Sequence, residues 1–297
     1  MCIIFAVFVF FAGCGGNGGS GQTEADPDAR YDIPEFRDVS FDEEAAAGND
    51  EVLVDTSHSS SGYFGVLADT DEKLKLQVSK GDDNYVYDLP SGSAQFFPFQ
   101  LGDGSYSISV MKNAGGHRYS ELYGTSADVS LDSEFEPFLR ANQYADYTED
   151  SACVRKAHEL AESATGANDF ITKVYDYICS SVTYDREKAA SVSSGYIPDP
   201  DQVMESGSGI CFDYASLAAS MLRSQGVPVK IIFGYVGSEG DLYHAWNMYY
   251  TEESGWVSVE FEVGPDDWNR MDLTFSANGE DSDFIGDGSN YTEVFIY

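Results

Sequence analysis

Hydrophobic and polar positions give the chain two main textures, separated near Glu134. From Glu51 to about Leu131 the runs are short and strand-like, and in two of them apolar residues recur clearly at every second position. Leu74, Leu76 and Val78 form one such run, and Tyr106, Ile108 and Val110 another. Successive side chains of a strand point to opposite faces, so this period predicts half-buried strands. Gly, Asp and Pro separate most of the runs and mark turns. Eight strand-like stretches result: 51–56, 62–68, 73–79, 84–90, 94–99, 105–111, 117–124 and 127–131. They predict a small antiparallel, β-sandwich-like domain over 50–133.

Beyond Glu134 the period lengthens. Val154, Ala157, His158, Ala161 and Ala164 share helical spacing, as do Phe170, Ile171, Val174, Tyr175 and Ile178. A Ser/Gly/Pro-rich loop then runs to Asp201. After it Tyr214, Leu217, Ala218, Met221 and Leu222 form an apolar stripe, which predicts a helix packed against a sheet. Stretches 229–236, 243–250, 255–263 and 270–275 read as that sheet's strands. Helices followed by an antiparallel sheet predict an α+β domain over 134–297.

The N-terminus follows neither pattern. Ile3 to Phe11 is an unbroken apolar run, too short for a comfortable permanent span. Followed by Ala12, Gly13 and Cys14, it reads as an export signal over 1–14, and its end resembles a bacterial lipobox with Cys14 as the acylated residue. The Gly-rich, acidic stretch 15–49 reads as a flexible tether. This predicts an exported protein, either lipid-anchored through Cys14 to the outer face of the bacterial cytoplasmic membrane or extracellular.

Composition sharpens the picture in two ways. Hydrophobic residues make up 42% of 297, with 20 Tyr and 19 Phe, enough for a substantial core. Asp and Glu outnumber Lys and Arg by 51 to 16, for a formal charge of -35. That surface disfavours nucleic acid and anionic lipid as direct partners.

The candidate chemistry starts at Cys211, which opens the apolar helix just after Gly207 and Gly209. Unpaired amides and the helix dipole favour an anion there. The same amides suit an oxyanion during acyl transfer, and the glycines permit a sharp turn and close approach. A small core cysteine is the alternative. His244, one of four histidines, opens the strand His244-Ala245-Trp246-Asn247 and is a candidate base. Two carboxylates are candidates to orient it: Asp272, preferred for its apolar frame, and Glu260. No metal-ligand spacing, Ca²⁺ loop or nucleotide loop occurs, so no cofactor is expected. Cys153 and Cys179 read as ordinary buried thiols, with a disulfide as the alternative.

In combination, Gly209-Ile210-Cys211-Phe212-Asp213-Tyr214-Ala215, His244-Ala245-Trp246-Asn247 and Trp268-Asn269-Arg270-Met271-Asp272-Leu273-Thr274 resemble the transglutaminase-like superfamily of papain-like fold. The resemblance spans about Ile171 to Ala277. It implies a cysteine-bearing helix against an antiparallel sheet and a Cys211-His244-Asp272 triad. Leu273 stands where the family often has proline. His244 to Asp272 is 28 residues, long for the family, and Trp256 to Glu260 repeats the spacing of Trp268 to Asp272. The family's upstream oxyanion side chain suggests Gln202, nine residues before Cys211. The implied activity is thiol-dependent acyl transfer or amide hydrolysis on protein or peptide substrates, cell-wall peptides among them. A non-catalytic surface binding or structural module of the same fold is the alternative.

Overall fold

Strand-forming alternation and turn residues give eight strands in the first half of the chain: β1 (Ala47–Gly48), β2 (Val52–Asp55), β3 (Tyr63–Ala68), β4 (Leu74–Lys80), β5 (Asp83–Leu89), β6 (Ala94–Pro98), β7 (Gly104–Asn113) and β8 (Tyr119–Val129). In this computed structural model residues 29–236, 242–263, 269–274 and 292–297 are described, with side chains for 29–235, 243–259 and 294–297. The strands form two four-stranded antiparallel sheets, ordered β1-β2-β3-β6 and β5-β4-β7-β8. Tyr87 of β5 meets Phe97 of β6, and Phe99, just past β6, meets Tyr106 of β7, each pair with ring centroids 4.8 Å apart, so rings join the two sheets. The two last expected strands of this half are one continuous strand, β8. Its register shifts opposite Val110 and Met111, so the pairing bends without ending.

The second half is an α+β unit. Helices α1 (Ala152–Glu162) and α2 (Ala167–Ser181) precede a short strand β9 (Thr183–Tyr184). Two short helices follow, α3 (Arg186–Ser191) and α4 (Pro200–Ser206), each capped by an aspartate: Asp185 accepts from the Lys188 amide and Asp199 from the Gln202 amide. Strand β10 (Ser208–Gly209) pairs in parallel with β9 and leads into α5 (Cys211–Arg223). The sheet comprises β11 (Val229–Val236), β12 (Leu242–Thr251), β13 (Gly255–Val263), β14 (Asn269–Thr274) and β15 (Thr292–Ile296), ordered β14-β13-β12-β11-β15 and antiparallel throughout.

Helix α5 is the axis of this unit. Every residue from Asp213 to Arg223 is buried. A helix apolar on nearly all sides needs neighbours on all sides, and α5 touches α1, α2, α4, β11 and β12. Asn247, fully buried on β12, donates to the Ala215 carbonyl at 3.0 Å and ties sheet to helix. The two halves meet through aromatic rings. Tyr297 contacts Tyr85 and Tyr87 of β5 and also Phe233 of β11.

One expectation needs correction. Composition reads 15–49 as tether, yet the chain is packed from Tyr31 onward. Tyr31 stacks on Phe170 at 5.1 Å, and its hydroxyl donates to the Gln225 carbonyl at 2.6 Å. Pro34 lies against Gly226, Phe41 lies against Gly65, and Ile33, Phe36 and Val39 pack on the core. These isolated apolar residues in an acidic stretch have no period, so they make no helix or strand, but they pack against the folded body. The proposed signal 1–14, Cys14 and the Gly-rich start of the tether lie outside the described residues. Among the described residues no helix is long and apolar enough to cross a membrane.

Candidate active site

Cys211 is the first residue of α5 and is half-buried. Three features set its place. The β9–β10 pair holds Ser208 and Gly209 against Thr183 and Tyr184. Tyr214 donates from its hydroxyl to the Val182 carbonyl at 2.8 Å, tying the first turn of α5 to the end of α2. Gly207 ends α4 in the left-handed region, at φ 62°, which a glycine adopts without strain.

The N-cap of α5 is Ile210, which has no side-chain acceptor. The first amides of a helix have no carbonyl partner within it, and here the cap residue supplies none. The buried Asp213 carboxylate is turned the other way. It accepts from the Ile210 amide at 2.8 Å, from Lys188 Nζ at 2.6 Å and from the Tyr196 hydroxyl at 2.5 Å. Sequence reading missed this cluster. Only a carboxylate two residues after Cys211 signalled it, while its partners lie 25 and 17 positions away.

The thiol acts electrostatically on two phenols. Burial raises the pKa of Tyr184 most, and Cys211 is the next cause. Burial likewise raises Tyr243, followed by Tyr235 and then Cys211. Tyr184 lies on β9 and Tyr243 on β12, where His244 is the next residue. His244 is half-buried and stands opposite Gly234, beside a register shift in the pairing of β11 with β15. Its ring lies nearly parallel to that of Trp246, at 6.5 Å and 16°.

Register relates the two carboxylates to His244. Met248 pairs with Ser258, and Glu260 with Asp272. Strand alternation therefore puts His244, Trp246, Glu260 and Asp272 on one set of positions, a single face of the sheet. Val259 pairs with Asn247, so Glu260 stands level with Trp246 on the strand adjoining β12. Asp272 lies one strand further out. Ideal spacing gives about 8 Å between Cα atoms for His244 and Glu260, and about 12 Å for His244 and Asp272.

Gln202 lies in the first turn of α4 with its side chain exposed. Its neighbour Asp201 is engaged elsewhere, accepting from the Ala152 and Cys153 amides at 2.8 Å each. Cys153 is fully buried, and burial pushes its thiol well up. No disulfide joins Cys153 and Cys179. His58, in the β half, stacks on Tyr63. Ser40 Oγ at 3.4 Å and Asp55 Oδ2 at 3.7 Å both approach its Nε2, so the three do not form a relay through the two ring nitrogens.

The cysteine-led buried helix thus lies on an antiparallel sheet whose strands carry His244, Glu260 and Asp272 on one set of positions and Asn247, bonded to α5, on the other. Residues 154–261 match the transglutaminase-like superfamily and form a domain of that superfamily. The chain is similar to the Protein-glutamine gamma-glutamyltransferase of Pseudomonas aeruginosa, 34% identical over 79 residues, 22% of this chain and 12% of that protein. It is also similar to the uncharacterized protein YebA of Bacillus subtilis, 28% identical over 126 residues, 35% of this chain and 16% of that protein. Thus the matched stretch spans less than a fifth of either relative. A crystal structure of a TGase aligns over 37% of this chain and 31% of its own, at 23% identity and a TM-score of 0.30. The superfamily match includes Glu260 and ends before Asp272.

Proposed function

We propose that the chain is an exported thiol enzyme that transfers or hydrolyses acyl groups of protein or peptide amides, with Cys211 as nucleophile and His244 as base. The observation that carries this reading is the start of α5. Cys211 occupies the first position, and the cap residue Ile210 has no side-chain acceptor for the amides beside it. Those amides are suited to an oxyanion, and we assign that role to them rather than to Gln202, whose side chain is exposed.

His244 takes the Cys211 proton as Sγ attacks the substrate carbonyl. The S–C bond forms, the C–N bond breaks, and the imidazolium returns a proton to the departing ammonia or amine. A thioester remains. Water or a second amine then attacks it, losing a proton to His244, and Cys211 leaves as the thiolate that recovers this proton. Glu260 is assigned as the carboxylate that orients His244. Its place on the strand adjoining β12 supports this choice, as does its inclusion in the superfamily match. Asp272, preferred on sequence alone, lies a strand further out. Lipid on Cys14 is the proposed anchor, and cell-wall peptides are candidate substrates.

The test incubates the full chain with a glutamine-containing peptide, with and without a primary amine, and follows ammonia release, peptide cleavage and amine incorporation by mass spectrometry. Turnover in the wild type that vanishes in Cys211→Ala supports the reading. Turnover unchanged in Cys211→Ala overturns it.

A further inference from the structure

The Asp213 cluster exceeds what a helix cap requires. A cap needs only the bond from the Ile210 amide to the carboxylate. Here two further donors come from separate segments, Lys188 from α3 and Tyr196 from the loop after it. Lys188 Nζ also donates to the Tyr196 hydroxyl at 2.7 Å and lies 4.4 Å from the centre of its ring. Asp213 is 0% exposed, so its charge is withdrawn from water. A buried ion pair adds little net stability against an apolar replacement, which leaves its presence beside the nucleophile to be explained otherwise.

The surroundings favour a precise fit. A Cβ on Gly209 would lie 2.7 Å from Asp213 Cβ, so glycine gives the carboxylate its room. Gly195, at φ 85°, lies against Asp88 of β5, where a Cβ would come within 2.5 Å of the carboxylate. The loop carrying Tyr196 is thus seated against the β half. Phe212, between Cys211 and Asp213, packs against Tyr144, Tyr196 and Phe233.

We propose that Lys188 is the counter-ion that lets one helical turn carry both the Asp213 carboxylate and a Cys211 thiolate, and that Asp213, Lys188 and Tyr196 together are positioning residues for Cys211. This rests on Cys211 being the nucleophile. Like charges two residues apart oppose each other strongly away from water. Lys188 removes that opposition and leaves the helix dipole to act on the thiol. Burial lowers the lysine pKa, but its bonds to Asp213 and Tyr196 outweigh this and raise it, so it carries its charge at neutral pH. The groups that the thiol acts on are Tyr184 of β9 and Tyr243 of β12; Arg186 of α3 acts in turn on Tyr184, and Asp185, before α3, accepts from the Ser208 hydroxyl at 3.5 Å.

Iodoacetamide alkylation of the folded full chain, quantified on the Cys211 peptide across the neutral pH range, separates charge from structure. Lys188→Met should slow Cys211 at neutral pH about tenfold, and Asp213→Asn should quicken it. The double variant should return close to wild type, and Lys188→Arg should retain most of the rate. A merely structural role makes the double variant at least as slow as Lys188→Met. Identical profiles for Lys188→Met and wild type, or a double variant no faster than Lys188→Met, overturn the proposal. Cys153 staying unalkylated reports the fold in each variant. If Lys188→Met exposes Cys153, Asp213→Asn against the double variant carries the test, and equal rates overturn the proposal. A wild-type Cys211 with no acyl transfer would overturn the nucleophile reading alone, because opposite signs in the two single variants remain readable.

Discussion

Glu260 and Asp272 stand directly opposite one another across β13 and β14, at one register position. Both belong to the sheet face that carries His244, but only Glu260 is on a strand paired with β12. A diagonal cross-strand neighbour is within reach of a long side chain, whereas a residue two strands away is not. Glu260→Gln should therefore lower acyl transfer by about a thousandfold or more, the scale seen when a triad carboxylate becomes an amide. Asp272→Asn should stay within about tenfold of wild type. Rates of amine incorporation for the two variants, measured side by side, check this, and the reverse order returns the role to Asp272.

Gly209 is required by contact, since its backbone is not in the left-handed region. A methyl group there would sit 2.7 Å from Asp213 Cβ, an atom close to the main chain that cannot swing away. Gly209→Ala should cost about 1–3 kcal/mol, the usual scale of overpacking. It should also slow Cys211 alkylation, because the carboxylate must leave its three donors. Urea denaturation gives the first effect, and peptide-level alkylation the second. Unchanged stability and unchanged reactivity together would mean that the turn relaxes without disturbing Asp213.

These two sites show where the sequence was legible and where it was not. Strands β11 and β13 end where the apolar runs end, at Val229 and Val236 and at Gly255 and Val263, because β-branched and aromatic residues alternate within sharp turn boundaries. The cysteine-led helix was legible because its stripe is strong and glycines precede it. The orienting carboxylate was not, since Trp256 to Glu260 and Trp268 to Asp272 have the same local spacing. Only strand order distinguishes them. Helices α3 and α4 are too short to show a period and depend on the caps Asp185 and Asp199 within a Ser/Pro-rich stretch. The packing of Tyr31, Pro34 and Phe41 is a long-range property of the folded surface, and local composition reads it as linker.

Asp201 links two helices and makes stability depend on acid. Burial raises its pKa, but the bonds from the Cys153 and Ala152 amides and from the Cys153 thiol outweigh that and leave it lowered. A carboxylate held below its unfolded value adds stability above that value and loses it as pH falls through the folded one. Asp201→Ala should cost about 1–2 kcal/mol at neutral pH, as for loss of a helix cap. The difference from wild type should shrink below the carboxylate range. Chemical denaturation at neutral and acid pH checks the sign, and a deficit that grows on acidification contradicts it.

Arg223 closes the other end of α5. It is 1% exposed, and its guanidinium donates to backbone carbonyls. Nε and Nη2 donate to the Val229 carbonyl at 2.9 and 2.7 Å, Nη1 to that of Arg140 at 3.2 Å, and Nη2 also to that of Tyr297 at 3.1 Å. One planar fork thus joins the helix end, the first sheet strand, the segment between the two halves and the end of β15. Arg223→Met keeps most of the volume but strips the carbonyls of Val229, Arg140 and Tyr297 of a donor; that of Tyr297 keeps the Ile231 amide at 2.7 Å, and each of the other two costs about 1–3 kcal/mol if left unsatisfied. A loss on the order of 3 kcal/mol in urea denaturation is expected. Arg223→Lys should recover only part of it, because a single ammonium cannot reproduce the fork. Since the fork lies at the opposite end of α5 from Cys211, both variants should keep wild-type alkylation of Cys211 under conditions where they remain folded. Slower alkylation in a folded Arg223→Met protein would instead mean that the whole helix shifts as a rigid rod.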